Sequence, residues 1–186
     1  VPEPARATAL ASRLFASIGA ASAIIVAVCS LGITLYEARI TREHQKLSVW
    51  PRLAMSISDS GGVFTRTVVN NGLGPALVRS YQVTVDGKPM ASWTAVLRTL
   101  MPAAHGLPYV YSSFGRGSVL LPGAQLNVLT VSTDSVNRML REAEPRVGTT
   151  VCYCSLYNEC WVARSGETDP VAIDRCDEAS KHELAL

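Results

Sequence analysis

At 186 residues the chain has room for one membrane span and one compact domain, and little more. Its formal charge of +2 is too small for a nucleic-acid footprint, and its 17 Lys and Arg residues form no continuous stripe. Nearly half of the residues are hydrophobic, and most of the excess sits in one stretch near the start. Val1 stands where Met is usual, which reads as a removed initiator or as a GTG start codon of bacterial type.

After an N-terminal flank, 1–13, the run Leu14–Tyr36 carries no charged residue. As a helix it is about 34 Å long, enough to cross a hydrocarbon core of about 30 Å. Arg13 bounds it on one side and Glu37, Arg39 and Arg42 on the other, with Phe15 and Tyr36 placed as interfacial anchors. A signal peptide has a shorter apolar region ending at a small-residue cleavage site; here the run continues well past Ala21-Ser22-Ala23. The expectation is therefore an uncleaved transmembrane helix over 14–36. Cys29 follows Val28, too bulky for a lipoprotein site, and reads as an ordinary small apolar residue. Ala16, Ala20, Ala23, Ala27, Ser30 and Thr34 recur at spacings of four and three, a face on which a second helix backbone can approach closely. The span has no His to ligate haem and no acid or base for ion transport.

Residues 37–50 are good helix formers and extend the helix into water until Trp50-Pro51, where proline disfavours a helical residue before it. Trp50 is a further candidate interface anchor. The β-rich domain is expected over 51–165. Residues 52–58 alternate with Leu53, Met55 and Ile57 on one face; 64–70 make a second strand, and 76–85 a third with Val83 and Val85 together before the Asp86-Gly87 turn. Trp93, Val96, Leu97, Leu100 and Met101 follow a helical period, with Ser92 as N-cap and Pro102 as the stop. Residues 102–117 read as loop, 119–121 lead into Pro122-Gly123, and 126–131 form a strand. Residues 132–144 predict a second short helix with Val136, Met139 and Leu140 inward. Residues 147–156 and 160–164 make a closing hairpin. Trp93 and Trp161 are placed in the core, and 166–186 reads as a loosely held polar tail.

The run Val68–Gly87, with its Asn-x-Gly-x-Gly-Pro-Ala pattern from Asn70 to Ala76 and its Asp-Gly turn, resembles immunoglobulin-like β-sandwich modules such as the bacterial cell-adhesion-related domain. LLPGAQLNVLTVS resembles their Pro-Gly turn and following strand. The whole layout is similar to single-span bacterial membrane proteins of unassigned function. The resemblance implies an immunoglobulin-like β-sandwich, from which the two short helices depart, and it carries over no binding residues; the expected fold is one N-terminal transmembrane helix plus this mainly-β domain with two short helices.

Four of the five cysteines fall late in the chain. Cys152 and Cys154 share a strand face, a hairpin turn can bring Cys154 opposite Cys160, and Cys152 can then join Cys176. Unlinked structural thiols and a four-thiolate metal site are the alternatives, the latter lacking the paired C-x₂-C knuckles of common zinc sites. His44, His105 and His182 read as surface residues, and Gly72-Leu73-Gly74-Pro75 as a turn between strands rather than a phosphate cradle. Arg39, Arg42, Lys46 and Arg52 outnumber Arg6 and Arg13, which favours a cytoplasmic domain. The cysteine set points instead to an oxidising periplasm, the side preferred here. The expected function is a non-catalytic accessory subunit, without cofactor or small-molecule substrate. It would sit in the inner membrane among the transmembrane subunits of a larger complex, a bioenergetic one being one setting. The alternative is a stand-alone membrane-tethered binding or sensing module.

Overall fold

The computed structural model describes residues 4–102, 108–176 and 184, with side chains throughout these except at 4–18, 20, 134 and 135. The chain forms two compact units, Val1–Leu47 and Ser48–Leu186. The first is a single helix, α1, that runs from Pro4 and stops at Ser48. It is long and apolar enough to cross a membrane, a test that a signal sequence also passes. Every described side chain from Ala21 to Gln45 is exposed, with Ile24, Val26 and Leu31 each above 60%. Its hydroxyls turn back on their own helix: Ser22 donates to the Gly19 carbonyl (2.9 Å), Ser30 to Val26 (2.8 Å) and Thr34 to Ser30 (2.9 Å). The helix ends two residues before Trp50. Pro51 keeps Trp50 extended, and the Trp50 carbonyl accepts from Leu73 and Gly74 N–H groups at 2.8 and 3.2 Å instead of serving the helix.

The second unit is mainly β. A four-stranded antiparallel sheet has the order β1 (Leu53–Ser60), β2 (Val63–Asn70), β7 (Gln125–Val131), β5 (Tyr109–Tyr111). The other sheet runs β10 (Val171–Ile173), β9 (Cys160–Arg164), β8 (Val147–Cys154), β3 (Ala76–Val85), β4 (Lys88–Pro89), with β6 (Val119–Leu120) also on β3. Inward residues of both sheets build one core: Phe64, Val68 and Leu129 from the first, Val78, Tyr81, Val83, Val151 and Tyr153 from the second. A backbone–side chain bond also joins them, the Leu53 N–H donating to the Tyr153 hydroxyl at 3.2 Å. Burial pushes that phenol up to about 12, against the opposing effects of this bond and of the Arg52 charge.

Helix α2 (Trp93–Leu100) begins at Ser92, whose side chain accepts from the Ala95 N–H, and buries Trp93, Val96 and Leu97. Helix α3 (Asp134–Ala143) buries Val136 and Leu140 and continues as a 3₁₀ turn, Glu144–Arg146, with Pro145 inside it.

Four expectations are corrected. Ile57 is 43% exposed, because β1 is an edge strand and its stretch Ser56–Ser58 lies exposed. Met139 is 45% exposed: the narrow Val136/Leu140 stripe suffices to dock α3, and Met139 falls beside it. The 102–117 loop contains β5, paired with β7 from Tyr109↔Val131 to Tyr111↔Leu129. The described residues of the tail after Gly166 are held: β10 pairs with β9, Cys176 is buried, and Leu184 is buried with its N–H on the Tyr81 carbonyl.

Candidate functional site

Three constructions in the β unit bring polar or reactive groups together. The first is built on Asn70, which is fully buried at the end of β2. Its Oδ1 accepts from the Arg52 and Gly72 N–H groups at 3.1 and 3.0 Å, and its Nδ2 donates to the Gly74 and Leu120 carbonyls at 2.8 and 2.9 Å. One amide thus ties together the segment entering the domain, the Gly72–Gly74 loop and β6. The glycines are required by close approach. A Cβ on Gly72 would meet the Arg52 nitrogen at 2.3 Å, and one on Gly74 the Val49 carbonyl oxygen at 1.8 Å. The Asn-x-Gly-x-Gly pattern is therefore a structural clamp.

The second is an ion pair under the helices. Arg66 points inward from β2, its side chain 7% exposed, and donates to Glu144 Oε2 at 2.7 Å and to Thr149 Oγ1 at 3.0 Å. Desolvation raises the Glu144 pKa, and the Arg66 charge offsets part of the rise. The surroundings are Phe64, Trp93, Leu97 and Leu140. No nucleophile lies among them, and the pair reads as a satisfied polar seam within the core.

The third has reactive chemistry. On β8, Val151 and Tyr153 face the core, while Cys152 and Cys154 face the opposite side. The strand is buried continuously from Val151 to Cys154 because both faces are covered. Cys154 pairs across the hairpin with Cys160 at a Cα–Cα distance of 4.0 Å, and the two are disulfide-bonded. This is a non-hydrogen-bonded position, as the adjacent Ser155 N–H donates to the Glu159 carbonyl, and such positions bring facing Cβ atoms closest. A second bridge joins Cys152 to Cys176 beyond β10. With Val162 and Ile173 the four sulfurs make their own cluster on the outer face of the sheet. The Sγ atoms of Cys154 and Cys176, bonded to different partners, lie 3.9 Å apart. Those of Cys154, Cys160 and Cys176 all lie within 4.8 Å of one another.

Beside this cluster is a cleft of about 480 Å³, lined by the three sulfur residues Cys154, Cys160 and Cys176, by Arg79, Arg116 and Arg175, and by Asn158 and Asp174. Arg79 sits where the β3–β8 register shifts between Val78 and Ser80, a bulge that re-aims its side chain. Gly117 N–H donates to the Val78 carbonyl at 3.1 Å, which brings the loop carrying Arg116 alongside.

Of the residues singled out in the sequence, the structure gathers the four cysteines into one cluster and sets Trp50 against Trp161. Ala23, Ala27, Ser30, Thr34 and Tyr36 are exposed on α1. Phe15, Ala16 and Ala20 side chains, His105 and His182 lie outside the described residues, and His44 is exposed. Trp50 is 37% exposed and packs edge-on against Trp161, ring centroids 6.4 Å apart; Trp161 in turn stacks on Tyr153 at 6.0 Å. Trp93 is a core residue. Sequence reasoning missed Arg66, Glu144 and the three cleft arginines. Arg66 was readable, since it alternates with Phe64 and Val68 on the inward face of β2; the cleft arginines come from three distant segments and leave no local signal.

No protein family matches the chain, and neither does any curated protein or solved structure.

Proposed function

We propose that the chain is a membrane-anchored, non-catalytic accessory subunit of a larger integral-membrane assembly, with α1 as a single span and the β unit as an immunoglobulin-like sandwich in an oxidising, periplasmic compartment. The observation that carries this reading is the exposure of α1. A long apolar helix that buries none of its described side chains needs lipid or neighbouring helices around it. The self-satisfied hydroxyls of Ser22, Ser30 and Thr34 support the same reading, because hydrocarbon offers them no other partner. The exposed stripe through Ala23, Ala27, Ser30 and Thr34 is the surface on which partner helices would pack. Two disulfides in a domain of this size favour the periplasm over the cytoplasm.

Native mass spectrometry after mild detergent extraction tests the proposal. The expected result is co-purification with stoichiometric transmembrane subunits, weakened by Ala23→Leu with Ala27→Leu. A lone monomer would overturn it. The arginine-lined cleft favours a second reading, a stand-alone tethered binding module for an anionic ligand, and that same monomer would be its expected state.

A further inference from the structure

The two bridges form a compact, asymmetric sulfur cluster that the accessory role does not use. Three of its four sulfurs border the cleft, whereas Cys152 does not. The two bridges come within 3.9 Å of each other at the Sγ atoms of Cys154 and Cys176. Thiol–disulfide exchange needs a thiolate beside a disulfide sulfur, and opening either bridge produces that arrangement here. If Cys154–Cys160 opens, the Cys154 thiolate faces Cys176, still bonded to Cys152. If Cys152–Cys176 opens, the Cys176 thiolate faces Cys154, still bonded to Cys160. Both routes lead to the same product.

We infer that Cys154 and Cys176 form an exchange junction, through which a dithiol reductant entering the arginine-lined cleft converts the two bridges into a single Cys154–Cys176 bridge with Cys152 and Cys160 as thiols. In the first step a reductant thiolate attacks Cys160 Sγ, forming a mixed disulfide and expelling the Cys154 thiolate. The Cys154 thiolate then attacks Cys176 Sγ, and Cys152 leaves as a thiolate that takes a proton from water. The second sulfur of the reductant attacks the reductant sulfur of the mixed disulfide, closing the reductant's own disulfide and releasing Cys160. The reductant loses two electrons and the chain gains them.

Chain entropy does not oppose the transfer. The Cys152–Cys176 pair is separated by 24 residues and Cys154–Cys176 by 22, so the two loops cost nearly the same to close. The cleft also suits the reagent: the guanidinium groups of Arg79 and Arg175 line it beside the carboxylate of Asp174, and they favour the approach of an anionic thiolate. The tail stays covalently attached throughout, while the hairpin turn between β8 and β9 is set free.

Disulfide mapping of the full chain in detergent tests the junction. In Cys160→Ser, incubated at mildly alkaline pH, quenched with acid and alkylated, Cys154–Cys176 is expected in at least about a tenth of molecules, alongside Cys152–Cys176. Less than that, with Cys154 alkylated instead, overturns the inference. Should that variant fail to fold, the wild-type chain decides with one equivalent of dithiothreitol. Label on Cys152 together with Cys160 is expected, and label confined to either original pair refutes the junction. The cleft is tested by reduction rates with mercaptoethanesulfonate and with neutral mercaptoethanol. Arg79→Glu with Arg175→Glu should slow the former several-fold relative to the latter, and an unchanged ratio removes the cleft as the route.

Discussion

Replacing Asn70 with Ala removes four hydrogen bonds from one fully buried position. At a net contribution of about 1 kcal/mol each, the sum is about 4 kcal/mol. The Arg52 and Gly72 N–H groups are only partly buried and recover some of their share from water, which brings the expected loss to about 3 kcal/mol. For a domain of this size each kcal/mol moves Tm by about 3–4 °C, so the melt should fall by about 10 °C. All three tryptophans, Trp50, Trp93 and Trp161, belong to the β unit, so intrinsic fluorescence follows its unfolding without interference from α1. Asn70→Asp should cost at least as much, because it turns a donor into an acceptor opposite the Gly74 and Leu120 carbonyls. A drop of less than about 3 °C for Asn70→Ala would mean that the amide is not what holds the loop, β6 and the incoming segment together.

Gly74→Ala should destabilise by about 3 kcal/mol, because its Cβ would overlap the Val49 carbonyl; Leu73→Ala between the same glycines, at a residue 70% exposed, should stay within about 0.5 kcal/mol. Chemical denaturation of both variants checks the contrast. Tyr81→Phe should leave stability unchanged or raise it by about 1 kcal/mol, since the buried Tyr81 hydroxyl has no hydrogen-bond partner among the described residues; a clear loss in a thermal melt would reveal a partner. The Glu144 carboxyl titrates above its ordinary 4.5 in the folded chain, so the fold holds that proton more tightly than the unfolded chain does. Its contribution is complete below the ordinary value and is lost as pH rises through the raised one. Wild-type stability should therefore fall relative to Glu144→Gln across that window, as measured by denaturant titration at a series of pH values.

How much could be read from the residues depended on whether the determining interaction was local. Strand β3 was legible from Ala76 to Val85, because Gly74-Pro75 precedes it, Asp86-Gly87 follows, and Val83 and Val85 alternate between. Helix α2 was legible because its cap and its apolar face lie within ten residues. The disulfide arrangement could be written as a candidate because strand parity puts Cys152 and Cys154 on one side, although thiols and metal stayed open alternatives until the fold brought Cys176 over them. Met139 was misplaced because a helical period gives the direction of a stripe but not its width. The tail was misread because β10 has only three residues, and its hold comes from Cys176 and Leu184, contacts remote in sequence. The cleft needed three segments to meet, and no window along the chain contains them.

The clamp around Asn70 also bears on how related chains can diverge. Positions 70, 72 and 74 answer to atoms that a longer or branched side chain would displace, while position 73 answers to solvent alone. Descendants of this fold should drift freely at the leucine and stay fixed on either side of it. A three-point signature of one asparagine and two glycines, each one residue apart, would then outlast overall resemblance as a marker of kinship.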